Sequence, residues 1–283
     1  MRWRDGRRSD NVEDQRGFGV KQGAIGGGIG ILALLVIGLL TGADPVSLIS
    51  AIVTQSGSLD STPVVLTAAE NESADFVSVV LADTEDTWQS IFQQNGQVYR
   101  QPKLVLFKGS VESACGNAQA AMGPFYCPGD EKVYIDLDFY NELKNQLGAP
   151  GDFAQAYVIA HEVGHHVQKL DGTSAEVQRL ESQSDKVTAN KYSVMLELQA
   201  DCYAGIWAYH ADKQRQMIEA GDIGEAMNAA AKIGDDALQK QSQGYVVPDS
   251  FTHGTSAQRM KWFNAGYVSG GVGSCDTFNA AAL

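Results

Sequence analysis

The apolar run nearest the start of the chain predicts a membrane-spanning helix over residues 23–43. This run (GAIGGGIGILALLVIGLLTGA) contains no charged side chain and is about long enough to cross the apolar core of a bilayer. Residues 1–22 carry six basic and four acidic groups, so the positive-inside tendency predicts a cytoplasmic N-terminus. A cleaved signal peptide is the alternative, since residues 41–43 (TGA) could form a cleavage site.

The pattern after the apolar run predicts a polar tether over residues 44–75 and a folded domain over residues 76–283. The tether is rich in Ser, Thr, Asp and Glu. Residues 103–107 and 132–137 are strand candidates separated by a loop with Gly and Pro, which favours an antiparallel hairpin or small sheet. From Gly151 onward, apolar positions recur mostly at helical spacing. The predicted fold class is therefore α+β, mostly helical with a small antiparallel sheet, preceded by a single transmembrane helix.

The charge distribution argues against a nucleic-acid partner. The formal net charge is −13. Because residues 1–22 are net positive, the excess of acidic groups lies entirely in the rest of the chain. A strongly acidic domain repels phosphate backbones.

The cysteine content agrees with a domain outside the cytoplasm. An even number of cysteines beyond a membrane anchor suggests disulfides. Cys115 and Cys127 flank a short loop and are expected to pair, which leaves Cys202 with Cys275. The alternative is four reduced, buried cysteines. A cysteine zinc site is disfavoured, because the chain has no CxxC spacing.

The strongest chemical signal is the sequence HEVGH at residues 161–165. His161 and His165 lie one helical turn apart, so their imidazoles can reach one metal ion. Glu162 is offset around the helix and can accept a proton from a water on that ion. The alternative is an ordinary helix with two histidines, but the apolar neighbours imply burial, which is costly for unpartnered polar groups. His166 should face away, as a packing or surface residue.

A second helix is expected to supply the third metal ligand. A catalytic zinc takes three protein ligands and keeps one position open. Glu197 and Asp201 lie four residues apart in MLELQADCYAG, on one face of a largely apolar helix. Glu197 is the candidate ligand, and Asp201 the candidate acceptor from the other nitrogen of a ligand histidine. The alternative is two acids on a solvated face.

Four segments together resemble the bacterial neutral zinc metallopeptidase family, with a gluzincin-type HExxH and ExxxD pattern. They are RWRDGRRSDNVEDQRG near the start, HEVGHHVQ, ELQADCYAG and FTHGTSAQR. The resemblance implies a zincin-like domain and one zinc ion per chain on His161, His165 and Glu197, with Glu162 as general base. It also implies that an edge strand lies above the metal and pairs with an extended substrate, and residues 133–137 are the candidate.

The late segment FTHGTSAQR gives two further candidates. His253 could donate a hydrogen bond to the oxyanion of a tetrahedral intermediate, and Arg259 could pair with an acid near the site. Membrane-bound gluzincins have a proline after the corresponding histidine, whereas this chain has Gly254. The alternative is a capping histidine and a surface arginine at a helix start.

The sequence thus predicts a membrane-anchored zinc peptidase that hydrolyses peptide bonds outside the cytoplasm. Its expected partners are a peptide or protein substrate and, through the N-terminal helix, a membrane. Two alternatives stay open: a non-catalytic, zinc-stabilised scaffold or binding protein at the membrane, and an amidase acting on cell-wall peptides.

Overall fold

The computed structural model describes residues 1–18, 66–119 and 123–279, and these contain six strands and eight α-helices. The strands are β1 (Val12–Asp14), β2 (Lys103–Phe107), β3 (Ser110–Ser113), β4 (Gly116–Gln119), β5 (Phe125–Cys127) and β6 (Lys132–Asp136). The helices are α1 (Ala68–Gln94), α2 (Asp138–Asn145), α3 (Asp152–Asp171), α4 (Thr173–Ser182), α5 (Lys186–Lys213), α6 (Asp222–Lys232), α7 (Asp235–Gln243) and α8 (Ser256–Ser269). The mostly helical α+β class is confirmed.

The main sheet is mixed, so the prediction of an antiparallel sheet was wrong for its central pair. Its order is β1-β2-β6-β5; β1 and β6 both run parallel to β2, and only β5 runs antiparallel, to β6. The intervening chain forms the β3–β4 hairpin and then β5, which reverses direction before β6. β6 therefore enters the sheet in the same direction as β2. A short turn would have given the expected antiparallel pair.

Glycines set how closely the long helices pack. A Cβ atom on Gly164 of α3 would lie 3.1 Å from the Cα and the carbonyl oxygen of Ala200 on α5. Further along α5, a Cβ on Gly205 would lie 2.0 Å from the carbonyl oxygen of Phe263 on α8. Backbone atoms cannot yield as flexible side chains do. These two glycines therefore allow α3, α5 and α8 to approach closely, and all three carry predicted site residues.

The N-terminal residues are part of the same compact unit as the helices. Residues 1–16 join the residues from Leu66 onward, and β1 forms an edge of the main sheet. The sequence analysis predicted that residues 1–22 form a separate segment and that the folded domain begins at residue 76. The structure instead starts α1 at Ala68, with Thr67 and Glu70 forming a capping box.

The predicted transmembrane helix, residues 23–43, lies outside the described residues. Within the described ranges, no helix combines the length and the apolar character needed to span a bilayer. The predicted tether over residues 44–75 also lies mostly outside them.

Both expected cysteine pairs are present as disulfides. Cys115–Cys127 joins the β3–β4 turn to the end of β5. Cys202–Cys275 joins α5 to the chain after α8. Among the described residues there is no free cysteine. The alternative of four reduced cysteines is not what the structure contains.

Candidate active site

Three side chains from two helices converge as the sequence predicted. His161 and His165 come from α3, and Glu197 comes from α5. The Nε2 atom of His161 lies 3.1 Å from Oε2 of Glu197, and Nε2 of His165 lies 3.3 Å from Oε1 of Glu197. One donor atom from each residue lies within 4.8 Å of the others. Two imidazoles and one carboxylate therefore face one common position, close enough together to bind a single metal ion.

These separations suit a tetrahedral zinc site. With zinc–nitrogen and zinc–oxygen bonds of about 2.0–2.1 Å, ligand atoms on a tetrahedron are roughly 3.4 Å apart. The two separations, each to a different oxygen of Glu197, lie within a few tenths of an ångström of that spacing. The set of two histidines and one glutamate also has the composition of a catalytic zinc site with one open position. The residues present thus fit the metal that the sequence implied.

Asp201 fixes the orientation of His161. The Nδ1 group of His161 donates to Asp201 over 2.9 Å, which leaves Nε2 free to face the predicted metal position. Asp201 has no exposed surface, and it also accepts hydrogen bonds from Tyr157 and from Arg259. Arg259 is itself 2% exposed, so it is a buried partner of Asp201 rather than a surface residue. A buried carboxylate with this many donors is held rigidly.

Gln168 fixes the orientation of His165, as Asp201 fixes that of His161. The sequence analysis did not identify Gln168. The Nδ1 group of His165 donates to Oε1 of Gln168 over 2.9 Å. The amide nitrogen of Gln168 in turn donates to the carbonyl of Leu196 and to Gln199. Gln168 is fully buried. The sequence did contain a signal for this contact, because residues three positions apart on a helix are neighbours.

The charges around the histidines favour a cation at this site. Burial lowers the pKa of His161, but Asp201 and Glu197 outweigh burial and raise it to about 10. Burial raises the pKa of Glu197, but the two histidines outweigh it and hold that pKa well below its usual range. Without a metal, protons held on the imidazoles therefore balance the negative charge of the carboxylates. A zinc ion binding at the same point would displace those protons.

Glu162 lines an open cleft beside these three residues. The cleft has a volume of about 430 Å³, and His161, His165, Glu197, His253 and Arg259 also line it. A second cavity of about 330 Å³ shares His165 and Glu197 with the first. The two cavities therefore adjoin each other at the predicted metal position.

His253 lies on the cleft and is oriented by Asp235, which the sequence analysis did not identify. Nδ1 of His253 lies 3.2 Å from Oδ1 of Asp235, at the start of α7. Asp235 also accepts the backbone N–H groups of Thr252, His253 and Gly254. Gly254 has a φ of +93° and donates its N–H, and proline can do neither. This explains the departure from the His-Pro pattern.

The edge strand beside the cleft is β5, so the expectation that residues 133–137 form it was wrong. β6 lies between β2 and β5 and has both its edges paired. On β5, Phe125 and Tyr126 line the cleft. The Tyr126 hydroxyl donates to Nδ1 of His166, and Nε2 of His166 donates to the carbonyl of Arg100 over 2.6 Å. His166 is fully buried, so it is a packing residue that ties β5 to α3.

We expect replacement of Asp201 by Asn to weaken both zinc binding and the fold. Loss of the charge that orients His161 should reduce zinc affinity by about 10- to 100-fold. It should also destabilise the protein by about 3–5 kcal/mol, because buried Arg259 is left without its counter-charge. Zinc titration and urea denaturation measure the two effects. The control is Asp212→Asn on the same helix, where the carboxylate pairs with exposed Lys213. Equal behaviour of the two variants would contradict the assigned position of Asp201.

Comparison with known proteins finds a family and relatives that match most of the chain. The profile of the family described as "Putative neutral zinc metallopeptidase" matches residues 1–278. Uncharacterized protein YpfJ of Escherichia coli (strain K12) is 51% identical over 284 residues, covering 98% of this chain and 99% of the relative. Uncharacterized protein Rv2575 of Mycobacterium tuberculosis (strain ATCC 25618 / H37Rv) is 42% identical over 218 residues, covering 74% and 73%. No solved structure matches the chain. The chain therefore belongs to the neutral zinc metallopeptidase family whose sequence profile it matches.

Proposed function

We propose that the protein is a zinc-dependent peptidase that hydrolyses peptide bonds outside the cytoplasm. The observation that carries this proposal is the convergence of His161, His165 and Glu197 on one point of an open cleft that Glu162 also lines. A purely structural zinc site is closed by a fourth protein ligand and needs no base. Here the described residues give three candidate ligands at this point.

The proposed reaction gives a task to Glu162 and His253 and to the side chains that orient the three histidines. When bound, zinc lowers the pKa of a water molecule and polarises the carbonyl group of the scissile bond. Glu162 accepts the proton of the attacking water and then passes it to the leaving amine. His253 donates a hydrogen bond to the oxygen that becomes negatively charged at the carbonyl. Asp235, Asp201 and Gln168 do not touch the substrate, and they orient the three histidines.

The edge strand supports a peptide substrate in this proposal. β5 pairs with β6 along one edge only and lines the cleft with two aromatic side chains. An extended peptide can add to such an edge through backbone hydrogen bonds. The hydrogen bond from Tyr126 to His166 and the Cys115–Cys127 disulfide hold β5 in place.

In this proposal, the two disulfides are the reason for placing the protein outside the cytoplasm. Disulfides persist in oxidising environments and are rare in the cytosol. Cys127 ends β5, and Cys202 follows Asp201 directly, so each disulfide is adjacent to a part of the proposed site. A peptidase acting outside the cytoplasm would keep both.

A panel of substrates tests the proposal against its alternatives. The full chain in detergent, loaded with zinc, is incubated with an unfolded protein, a folded protein and cell-wall peptide fragments. Cleavage of the unfolded protein, abolished by a chelator and restored by zinc, is the expected result. Cleavage of wall fragments alone would favour the amidase. Full zinc occupancy without any hydrolysis would favour the scaffold.

We expect the Asp235→Asn variant to lose activity at a lower pH than the parent protein. The hydrogen bond to Asp235 raises the pKa of His253 above 6.5, although burial opposes it. Protonated His253 is the better donor to an oxyanion, so activity should fall as the pH rises through this raised pKa. Removing the negative charge lowers the pKa of His253 and moves the alkaline limb of the kcat profile to lower pH.

The His253→Ala variant is the control for this pH profile. It should have a lower kcat and lack the alkaline limb that depends on His253. An alkaline limb at the same pH in the parent and in Asp235→Asn would contradict the pairing of Asp235 with His253.

A further inference from the structure

Residues 1–16, called the N-terminal arm here, are bound along their length to the described residues from Leu66 onward, called the catalytic unit here. β1 pairs with β2 at three positions, from Val12 with Leu104 to Asp14 with Leu106. Backbone hydrogen bonds continue on both sides of the pairing, from Leu104 N to Asn11 O and from Gln15 N to Leu106 O. The arm therefore completes one edge of the main sheet.

The arm also satisfies buried polar groups of α1. Glu85 is 1% exposed and accepts hydrogen bonds from Arg7, Ser9 and Asn11. Without the arm, Glu85 would lose all three of these donors. Trp3, which is 7% exposed, meets Phe76 of α1 in an edge-to-face contact at 5.4 Å. A buried carboxylate paired in this way stabilises the docked arm, because undocking leaves it uncompensated.

Four of the five arginines that the positive-inside tendency counted are paired with acids in the folded unit. Arg4 pairs with Glu72, Arg7 with Glu85 and Asp86, and Arg8 with Asp75. Arg16 is 4% exposed, pairs with Asp14 and donates to the carbonyl of Glu70 near the start of α1. These positive charges therefore have a role in the fold. Their density near the start of the chain is not by itself evidence for a cytoplasmic location.

We infer that the N-terminal arm and the catalytic unit lie on the same side of the membrane. A strand and its partner in one sheet cannot be separated by a bilayer, and the arm supplies β1 to the sheet that carries β5. Between Arg16 and Leu66, only residues 23–43 are long and apolar enough to span a bilayer. One crossing there would put β1 and β2 on opposite sides. This inference replaces the single-pass topology expected from the sequence, and it does not depend on the proposed peptidase activity.

Thiol labelling in spheroplasts tests this topology directly. Asp10→Cys in the arm and Gln97→Cys after α1 both introduce exposed thiols, while the native cysteines are in disulfides. A membrane-impermeant maleimide is applied to intact and to permeabilised spheroplasts that contain one variant of the full chain each. We expect both thiols to react in intact spheroplasts. Protection of both would keep the shared side but overturn the proposed compartment. Labelling of only one would overturn the inference.

A stability comparison tests whether the arm is docked in solution. Arg16→Ala should lower the Tm of the full chain by about 5 °C or more, because it removes buried hydrogen bonds. Arg4→Ala removes an exposed ion pair and should change the Tm by less than about 2 °C. Equal Tm values for Arg16→Ala and the parent would show a free arm and overturn the inference.

Discussion

Replacing Glu162 by Gln is expected to remove nearly all peptide hydrolysis while leaving zinc in place. Glutamine keeps the size of the side chain and its hydrogen-bonding capacity, but it cannot accept the proton of the attacking water. General-base catalysis contributes about 10²- to 10⁴-fold, so kcat should fall by about that factor. Zinc should remain at about one ion per chain, because the three candidate ligands are unchanged. The measurements are kcat on an unfolded protein substrate and elemental analysis of the same preparation.

Glu181→Gln is the matched control for this experiment. Glu181 lines the cavity that adjoins the cleft and carries the same functional group, but it is not among the clustered ligand residues. Its variant should hydrolyse the substrate at nearly the parent rate. If Glu162→Gln kept full activity with full zinc, Glu162 would not be the base. The cleft would then need another proton acceptor.

The helix that carries most of the chemistry was predictable because its signals are local. The HEVGH spacing requires a helix, and apolar neighbours indicate its burial. Gly172 ends α3 with a φ of +89°, as expected for a glycine after a helix end. Glu197 and Asp201 were predictable for a similar reason, since acids four apart in an apolar helix need partners. In each case the residues that reveal the site lie within one or two turns of the same helix.

Contacts between distant segments were not predictable in the same way. Asp235 looks like an ordinary helix-start residue, and only the fold brings it to the loop that contains His253. Arg16 and Glu70 are in contact although 54 positions separate them. The pairing of β1 with β2 depends on two segments about 90 residues apart, and β1 is only three residues long. Periodicity within a short window carries no information on such pairs, and the direction of β6 was missed for the same reason.

His161→Ala and Glu197→Ala are expected to lose tight zinc binding. Each variant removes one of three candidate ligands, and two remaining ligands cannot hold zinc in the geometry of a catalytic site. Zinc at 100 times its dissociation constant stabilises a folded protein by about 2.7 kcal/mol, so the parent should unfold at higher temperature with zinc than with a chelator. Neither variant should show this zinc-dependent rise in Tm.

His253→Ala is the informative comparison, because it removes an imidazole from the same cleft without touching the three ligands. It should keep both its zinc content and the zinc-dependent rise in Tm. A loss of zinc in all three variants would mean that the metal depends on the cleft as a whole. Zinc retained by Glu197→Ala would remove α5 as the source of the third ligand. The fold argues against that outcome, since Gly164 brings α3 against Ala200 of α5, one helical turn from Glu197. The same close approach gives His161 its contact with Asp201, so a ligand and its orienting group come from one helix crossing.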